Sequence, residues 1–572
     1  MSKSRPLYNA MRYSFSYAGL FGTTVIAATN ISSRYRDDIK NQDRFSQHTR
    51  HQHQKNIFSG MHAPFIPNSD QLSFFQEHFS QYAHLLPSAL EIFQAQQALK
   101  TPVKIKSLAD CPVSLDFQNA GTLAVGGAPA LLTAASIVKQ DNQITYMIGE
   151  KIPIAYGSAF HIEEDAETEM PTNYRPTTFL AQQAVRASVG YRSLASIEKN
   201  GFFPWRTLDW AGWAKHPKEW ITGIKVALPF QLATMASPEQ RQEMLKKLAA
   251  QCNENEKFYD ALNEELNGNL LMPGKGSIIV ARNEEEVADL KTLKKNLEKE
   301  GKILDLLSEE EMIKRYGFAP KGLMYGEKKH DRVLSPQFME ILTQYIQKNG
   351  GKVIKATLTT VYADNEQTGG IAEYRTTDGQ KNFIPFSRLI LSLGTQLIVN
   401  ANDKPMMNVV SARGVSGLLY VRVPKNYSFS PVIVCGGTNH LTKLSKPVAV
   451  QGDDGKQYDL YLMRATAGAC ITPNVSEKDT ANYDGTIALG LITSVQKTLG
   501  DECQAEPITI YGCNRQVSQY GETRWLNPLP GIYVQYGAGG GGLTRGPDFA
   551  VRQKLEEESS YVPQLSNSRR GF

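Results

Sequence analysis

The sequence predicts an α/β protein, a sheet of alternating strands and helices that carries an N-terminal helical extension. Three observations lead there. After residue 110 short apolar strands alternate with helical stretches: TLAVGG is a strand ending in glycines, APALLTAASIVKQ a helix of small and apolar residues, and ITYMIGEK a second strand closed by an acid. Such alternation marks a sheet with helices packed against it, and these three pieces form a βαβ unit. Residues 35–110, by contrast, are polar and rich in Gln, His and Phe, then helical in pattern over QLSFFQEHFSQYAHLLPSALEIFQAQQAL. They read as an appended region, partly helical or disordered. Finally, 572 residues with 41% hydrophobic and 21% charged side chains are enough for two or more ordinary globular domains.

The remaining composition narrows the function classes. A net charge of +5 is small for this length and forms no basic block, so nucleic acid is not expected as a partner. The six cysteines (Cys111, Cys252, Cys435, Cys470, Cys503 and Cys513) are scattered without a C-x-x-C pair, which points to a reducing, cytoplasmic setting. His48, His51 and His53 sit in a polar run without a nearby Cys or carboxylate cluster, so no metal is assigned to them. Residues 13–33 carry no charge, yet their central apolar run is shorter than the ~20 residues a spanning helix needs. An anchor or signal and a buried helix or tail both remain open there.

Further along, Gly201–Ala233 collects Phe202, Phe203, Trp205, Trp210, Trp213 and Trp220, with four of the five tryptophans. Packing within a core or lid explains such a cluster, because aromatic rings supply large buried areas. A face over 202–233 that touches a membrane surface and a quinone is the alternative. The stretch NEEEVADLKTLKKNLEKEGKILDLLSEEEM, with Glu and Lys near i,i+4 spacing, predicts a solvated amphipathic helix.

Two glycine-rich turns carry the chemistry. A dinucleotide site needs a tight turn after its first strand, so that backbone amides and a helix N-terminus meet the pyrophosphate. Gly126, Gly127 and Ala128 stand at that place, followed by Pro129, Ala130 and Leu131, so Ala128 and Leu131 replace the second and third glycines of the usual pattern. Leu131 is expected to push helix and strand apart unless its neighbours adjust. Glu150, 24 residues after Gly126, ends the second strand, where an acid accepts ribose hydroxyls. Near the C-terminus, Gly537, Gly539, Gly540, Gly541 and Gly542 make a loop almost without side chains between GIYVQY and a helix begun by Thr544. Such a loop lets backbone amides approach a planar ring or an anion.

Taken in order, these pieces resemble the DAO superfamily of FAD enzymes, and within it the D-amino-acid dehydrogenase and glycine oxidase branch, across roughly residues 120–555. AVGGAPALLTAA, ITYMIGEK and AYGSA resemble the FAD βαβ unit and the short loop, here Gly157 and Ser158, that lies on the flavin phosphates. GSIIVARNEEEVADLKTLKKNLEKEGKILDLLSEEEMIKRY is similar to a substrate-domain strand, long helix and L-S-x-E-E segment. GLMYGEKKHDRVLSPQFMEILTQYIQKNGGKVI, FSRLILSLGTQ with Gly394 at the flavin, and KPMMNVVSARGVSGLLYVRV continue the resemblance. YGCNRQVSQYGETRWLNPLPGIYVQYGAGGGGLT resembles the family's ending.

The resemblance implies a discontinuous Rossmann-like FAD-binding domain (111–235, 325–404 and 505–560) beside an antiparallel-sheet substrate domain (236–324 and 405–504), with 1–110 as the extension. It implies noncovalently bound FAD, a small amino acid or amine as substrate, and Arg515 as the clamp on its carboxylate. The sequence departs from the family at Gln516, Tyr520 and Ala538, where Pro, Asp and His are usual. Those losses leave a second class open, a catalytically degenerate scaffold with or without FAD that binds a protein partner through 1–110. A cytoplasmic location is expected, with membrane association through 202–233 as the open alternative.

Overall fold

The computed structural model describes, with internal gaps, residues 61–86, 102–148 and 257–536, together with 161–162, 217 and 220–223. These belong to one compact unit, Gly60–Phe572. In chain order its principal elements begin with helix α1 (Ser69–Phe79), strands β1 (Val103–Lys106) and β2 (Thr122–Gly126), helix α2 (Ala128–Ile137) and strand β3 (Thr145–Ile148). Strand β4 (Ser277–Ala281), helix α3 (Glu284–Lys299), strand β5 (Leu304–Leu307), helix α4 (Glu309–Tyr316), strand β6 (Met324–Lys328) and helix α5 (Phe338–Lys348) follow. Next come strands β7 (Lys352–Tyr362), β8 (Gly370–Thr376), β9 (Lys381–Phe386), β10 (Arg388–Ser392) and β11 (Val409–Pro424). The last are β12 (Val432–Cys435), β13 (Asn439–Lys443), β14 (Gln457–Pro473), β15 (Gln504–Ser518), β16 (Arg524–Leu526) and β17 (Ile532–Tyr536).

The first sheet has ten strands, with the main order β9-β8-β7-β3-β2-β10-β17-β16. Its five central strands, β7, β3, β2, β10 and β17, are all parallel. TLAVG in β2 is buried at every position, as a parallel strand covered on both faces must be. Alternate residues divide between two cores. Ala124, Tyr146 and Ile390 pack with Leu131 of α2 and with Phe338, Leu342 and Ile346 of α5. Leu123, Val125, Met147, Leu389 and Leu391 face the opposite side with Val534 and Met407. Strands β7, β8 and β9 form an antiparallel meander at one edge.

The second sheet has nine strands, ordered β15-β11-β14-β13-β12-β4-β6-β5. It is antiparallel except where β4 runs parallel to β12. An α/β sheet with a parallel centre and a mostly antiparallel second sheet are therefore the architecture. The LSEEE segment folds as its residue types dictate: Ser308 and Glu311 close a capping box on α4, and Gly317 ends the helix with φ 67°.

Three strands fall elsewhere than the sequence reading placed them. Strand β1 belongs to the first sheet, pairing in parallel with β7, so the chain before residue 110 is not wholly an appendage. Strand β6 pairs with β4 and β5, and β15 with β11 from Gln504 to Ser518, so 324–328 and 504–518 belong to the second sheet. Backbone pairing, invisible in local composition, decides each case, and for β15 the ladder with β11 is continuous over most of the strand.

The described part of the extension from Phe65 to Phe79 is also bound in. Phe65 exchanges two backbone hydrogen bonds with Ile510 on the edge strand β15, at 2.8 and 3.1 Å. Helix α1, capped by Asn68 and Gln71, then lays Phe75 and Phe79 on the face formed by Leu418, Tyr420, Leu462 and Ile508. The Phe79 and Tyr420 rings stack at 5.9 Å, and the Tyr420 hydroxyl donates to the Gln71 carbonyl at 3.1 Å. Because Phe79 is 1% exposed, Phe79→Ala should cost about 3–5 kcal/mol of stability by cavity formation. Denaturant unfolding followed by tryptophan fluorescence checks this, and a loss below about 1 kcal/mol would show that α1 is not part of the core.

Candidate cofactor site

Strand β2 sits at the point where the strand order of the first sheet reverses. The chain leaves it through α2 to β3 on one side, while β10 pairs on the other, in register from Arg388 opposite Thr122 to Ser392 opposite Gly126. In an open parallel sheet a ligand binds in the crevice beyond the carboxyl ends of the strands at such a reversal. Here those ends are Gly126, Ser392 and, on β17, Tyr536, with Gln535 one residue before it.

Each end is held by its neighbour. Gly126 has φ 138°, and a Cβ added there would overlap the Ser392 carbonyl oxygen, so contact between the two strands alone demands glycine. Gly127, the residue before α2, donates its N–H to the Ser392 carbonyl at 3.3 Å and accepts from the Leu131 N–H at 3.1 Å. The Ser392 hydroxyl donates to Gln535 Oε1 at 2.8 Å in a buried contact that ties β10 to β17. Two residues beyond β10, Gly394 takes φ 64° in an exposed turn that closes with the Gln396 N–H on the Leu393 carbonyl.

Ala128 and Leu131 are both buried, with their side chains in the core under α2. The wedge expected from Leu131 is absorbed by a layer that includes Tyr146 from β3. The Tyr146 hydroxyl, fully buried, donates to the Gly126 carbonyl at 3.0 Å. Burial pushes its pKa up, so it stays protonated and remains a donor. Tyr146, Ser392 and Gln535 were missed in the sequence reading. A signal existed for Tyr146: a tyrosine inside the apolar run ITYMI must find a partner for its hydroxyl.

Among the amides of the turn, Pro129 has none and that of Gly127 is engaged. Ala128 and Ala130 lie in the first helical turn, where N–H groups have no intrahelical acceptor. This leaves two donors and a helix N-terminus facing the crevice, a sparse cradle for a diphosphate.

Gly126, Gly127, Ala128 and Gly394 thus gather at adjacent strand ends. Glu150, Gly157, Ser158, Gly537, Gly539, Gly542 and Thr544 lie outside the described residues, though Tyr536, just before the second glycine loop, ends β17 beside β10. Arg515 lies in β15 opposite Ala412, and its side chain is also outside the description. The same ladder pairs Ser518 with Val409, which packs in the core of the first sheet. Arg515 is therefore three strand positions, about 10 Å, from that core. Among the described residues no group of His, Cys, Asp and Glu is arranged to hold a metal, and no helix is long and apolar enough to cross a membrane.

The sequence profile of the DAO family, FAD dependent oxidoreductase, matches residues 201–550. The chain belongs to the DAO family. FAD is the cofactor of this family, and the strand reversal, the glycine turn and the two free first-turn amides fit its diphosphate. The matched stretch begins after the βαβ unit, where the glycine pattern is degenerate. No curated protein matches the chain. Among solved structures it is similar to glycine oxidase from Geobacillus kaustophilus at 15% identity, with a TM-score of 0.45 over 77% of this chain and 94% of that one. Iminodiacetate oxidase from Chelativorans sp. BNC1 gives 13% identity and a TM-score of 0.44 over 78% and 96% of the two chains. L-proline dehydrogenase from P. horikoshii gives 11% and 0.42 over the same shares.

Because the turn tolerates no Cβ at residue 126, Gly126→Ala should lower stability by more than about 2 kcal/mol and reduce FAD uptake. Thermal unfolding and flavin absorbance of the purified variant check this. A melting temperature equal to wild type would show that the β2–β10 contact can relax.

Proposed function

We propose that the chain is an FAD-dependent oxidoreductase that oxidises a small amino acid or secondary amine. The observation that carries this reading is the reversal point of the parallel sheet, with its glycine turn, in a chain whose residues 201–550 match the DAO family. The first sheet then serves as the cofactor domain and the second as the substrate domain. When bound, FAD supplies the acceptor for the α-hydrogen of the substrate, taken as hydride at N5. No strong base is required of the protein in such a step, only orientation.

Orientation falls to Arg515. A guanidinium grips a carboxylate through two parallel hydrogen bonds, neutralising its charge and fixing its plane, whereas lysine offers only a point charge. Arg515→Lys should therefore lower kcat/KM by a factor on the order of 10 to 1,000, about 1.4 to 4 kcal/mol, at unchanged flavin content. Turnover of glycine, sarcosine and a panel of D-amino acids by both proteins is the measurement, and equal rates would remove Arg515 from this role. Acceptor contact at a membrane through 202–233 belongs to the same proposal. It is supported by the exposure of Trp220 and Ile221.

A second reading is favoured by the turn itself. Ala128 and Leu131 stand where glycines are usual, and the Gly127 amide is turned away to Ser392. On that reading the chain keeps the fold as a scaffold without turnover. The visible spectrum separates the alternatives. Purified protein should be yellow, or become so on incubation with FAD, and acid should release the chromophore. Protein that stays colourless rules out the flavoenzyme.

A further inference from the structure

We infer that Tyr146 is a positioning residue for the cofactor diphosphate: its hydroxyl fixes the peptide between Gly126 and Gly127 so that no carbonyl faces the anion. The inference rests on the flavoprotein reading above and deepens it.

The β2–β3 ladder ends with Val125 opposite Met147, so the Gly126 carbonyl lies one residue past the last strand partner on that side. A trans peptide is planar, with its C=O and N–H pointing in opposite directions. The 126–127 peptide is clamped at both ends, its oxygen by the Tyr146 hydroxyl at 3.0 Å and its N–H by the Ser392 carbonyl at 3.3 Å. Were the clamp released, Gly126 and Gly127 together would leave this peptide free to rotate, and a rotation would bring a carbonyl oxygen to the crevice. Oxygen lone pairs against a diphosphate are repulsive, and the repulsion is felt more where few donors offset it. This turn has few, since Pro129 supplies none. A turn with a full set of glycines and amides could tolerate a loose peptide. The present one depends on a fixed one.

The hydroxyl comes from a ring that also fills the core under α2, so packing and positioning must be separated. Tyr146→Phe keeps the ring and removes only the donor. Apoprotein titrated with FAD, followed by flavin fluorescence quenching, should show Kd raised by a factor on the order of 3 to 10. The phosphorus NMR resonances of the bound FAD diphosphate should move, while the visible flavin band stays in place. Leu342→Ala, in the same core but on α5, serves as the packing control and should lower the melting temperature without shifting the phosphorus resonances. Wild-type affinity within twofold and unshifted resonances in Tyr146→Phe would overturn the inference and leave the flavoprotein reading standing. Wild-type protein that takes up no FAD would overturn that reading, and this inference with it.

Discussion

The contact between the ends of β2 and β10 is closer than any side chain allows. At Gly126 the backbone of one strand lies against the Ser392 carbonyl of the other, and φ 138° follows from that approach. Much else is arranged around it. The Gly127 amide is drawn to Ser392, α2 starts immediately after the turn, and Ser392 reaches on to Gln535, which brings β17 into the same row of strand ends. A parallel sheet makes its binding crevice where neighbouring connections part, and here close backbone contact fixes the parting together with the Tyr146 and Ser392 hydroxyls.

The two sheets are stabilised differently. The first is a parallel core sealed on both faces, so its strands are nearly all apolar and its polar groups must be satisfied locally. Tyr146 and Gln535 are such cases. The second sheet is built from strands of 15 to 17 residues, β11, β14 and β15, whose alternate residues meet α1 and α3 on one face. Its ladders extend from the aromatic cluster at one end to the first sheet at the other, so they connect the two cores directly.

Much of the first sheet was legible in the sequence. TLAVGG and ITYMI are short, apolar and bounded by turn residues. The second sheet was harder to read. Strand β15, QAEPITIYGCNRQVS, mixes Pro, Gly and charge, and only its pairing with β11 from Val409 to Arg422 makes it a strand. Local propensity yields to such non-local pairing. For the site, the glycines that mark the turn were visible, but the groups that orient it were not. Ser392 and Gln535 lie 266 and 409 residues after Gly126 in the chain, and nothing near them announces that they meet. Leu131 was read as a conflict with close helix packing. In the structure Leu131 is fully buried in a layer with Tyr146, Leu342 and Ile346, neighbours that a single position cannot reveal.

Phe65 and α1 also set a limit on where this protein can be shortened. A chain begun at the βαβ unit would keep every residue of the glycine turn, yet it would leave β15 as a bare edge with its amides and carbonyls unpaired at Ile510. Beside that edge Leu418, Tyr420, Leu462 and Ile508 would face water as a continuous apolar surface. Such a fragment carries its own template for self-association. A form of the fold that keeps this edge and this face covered therefore has to include Phe65 and α1, well before the first residue that could touch a nucleotide.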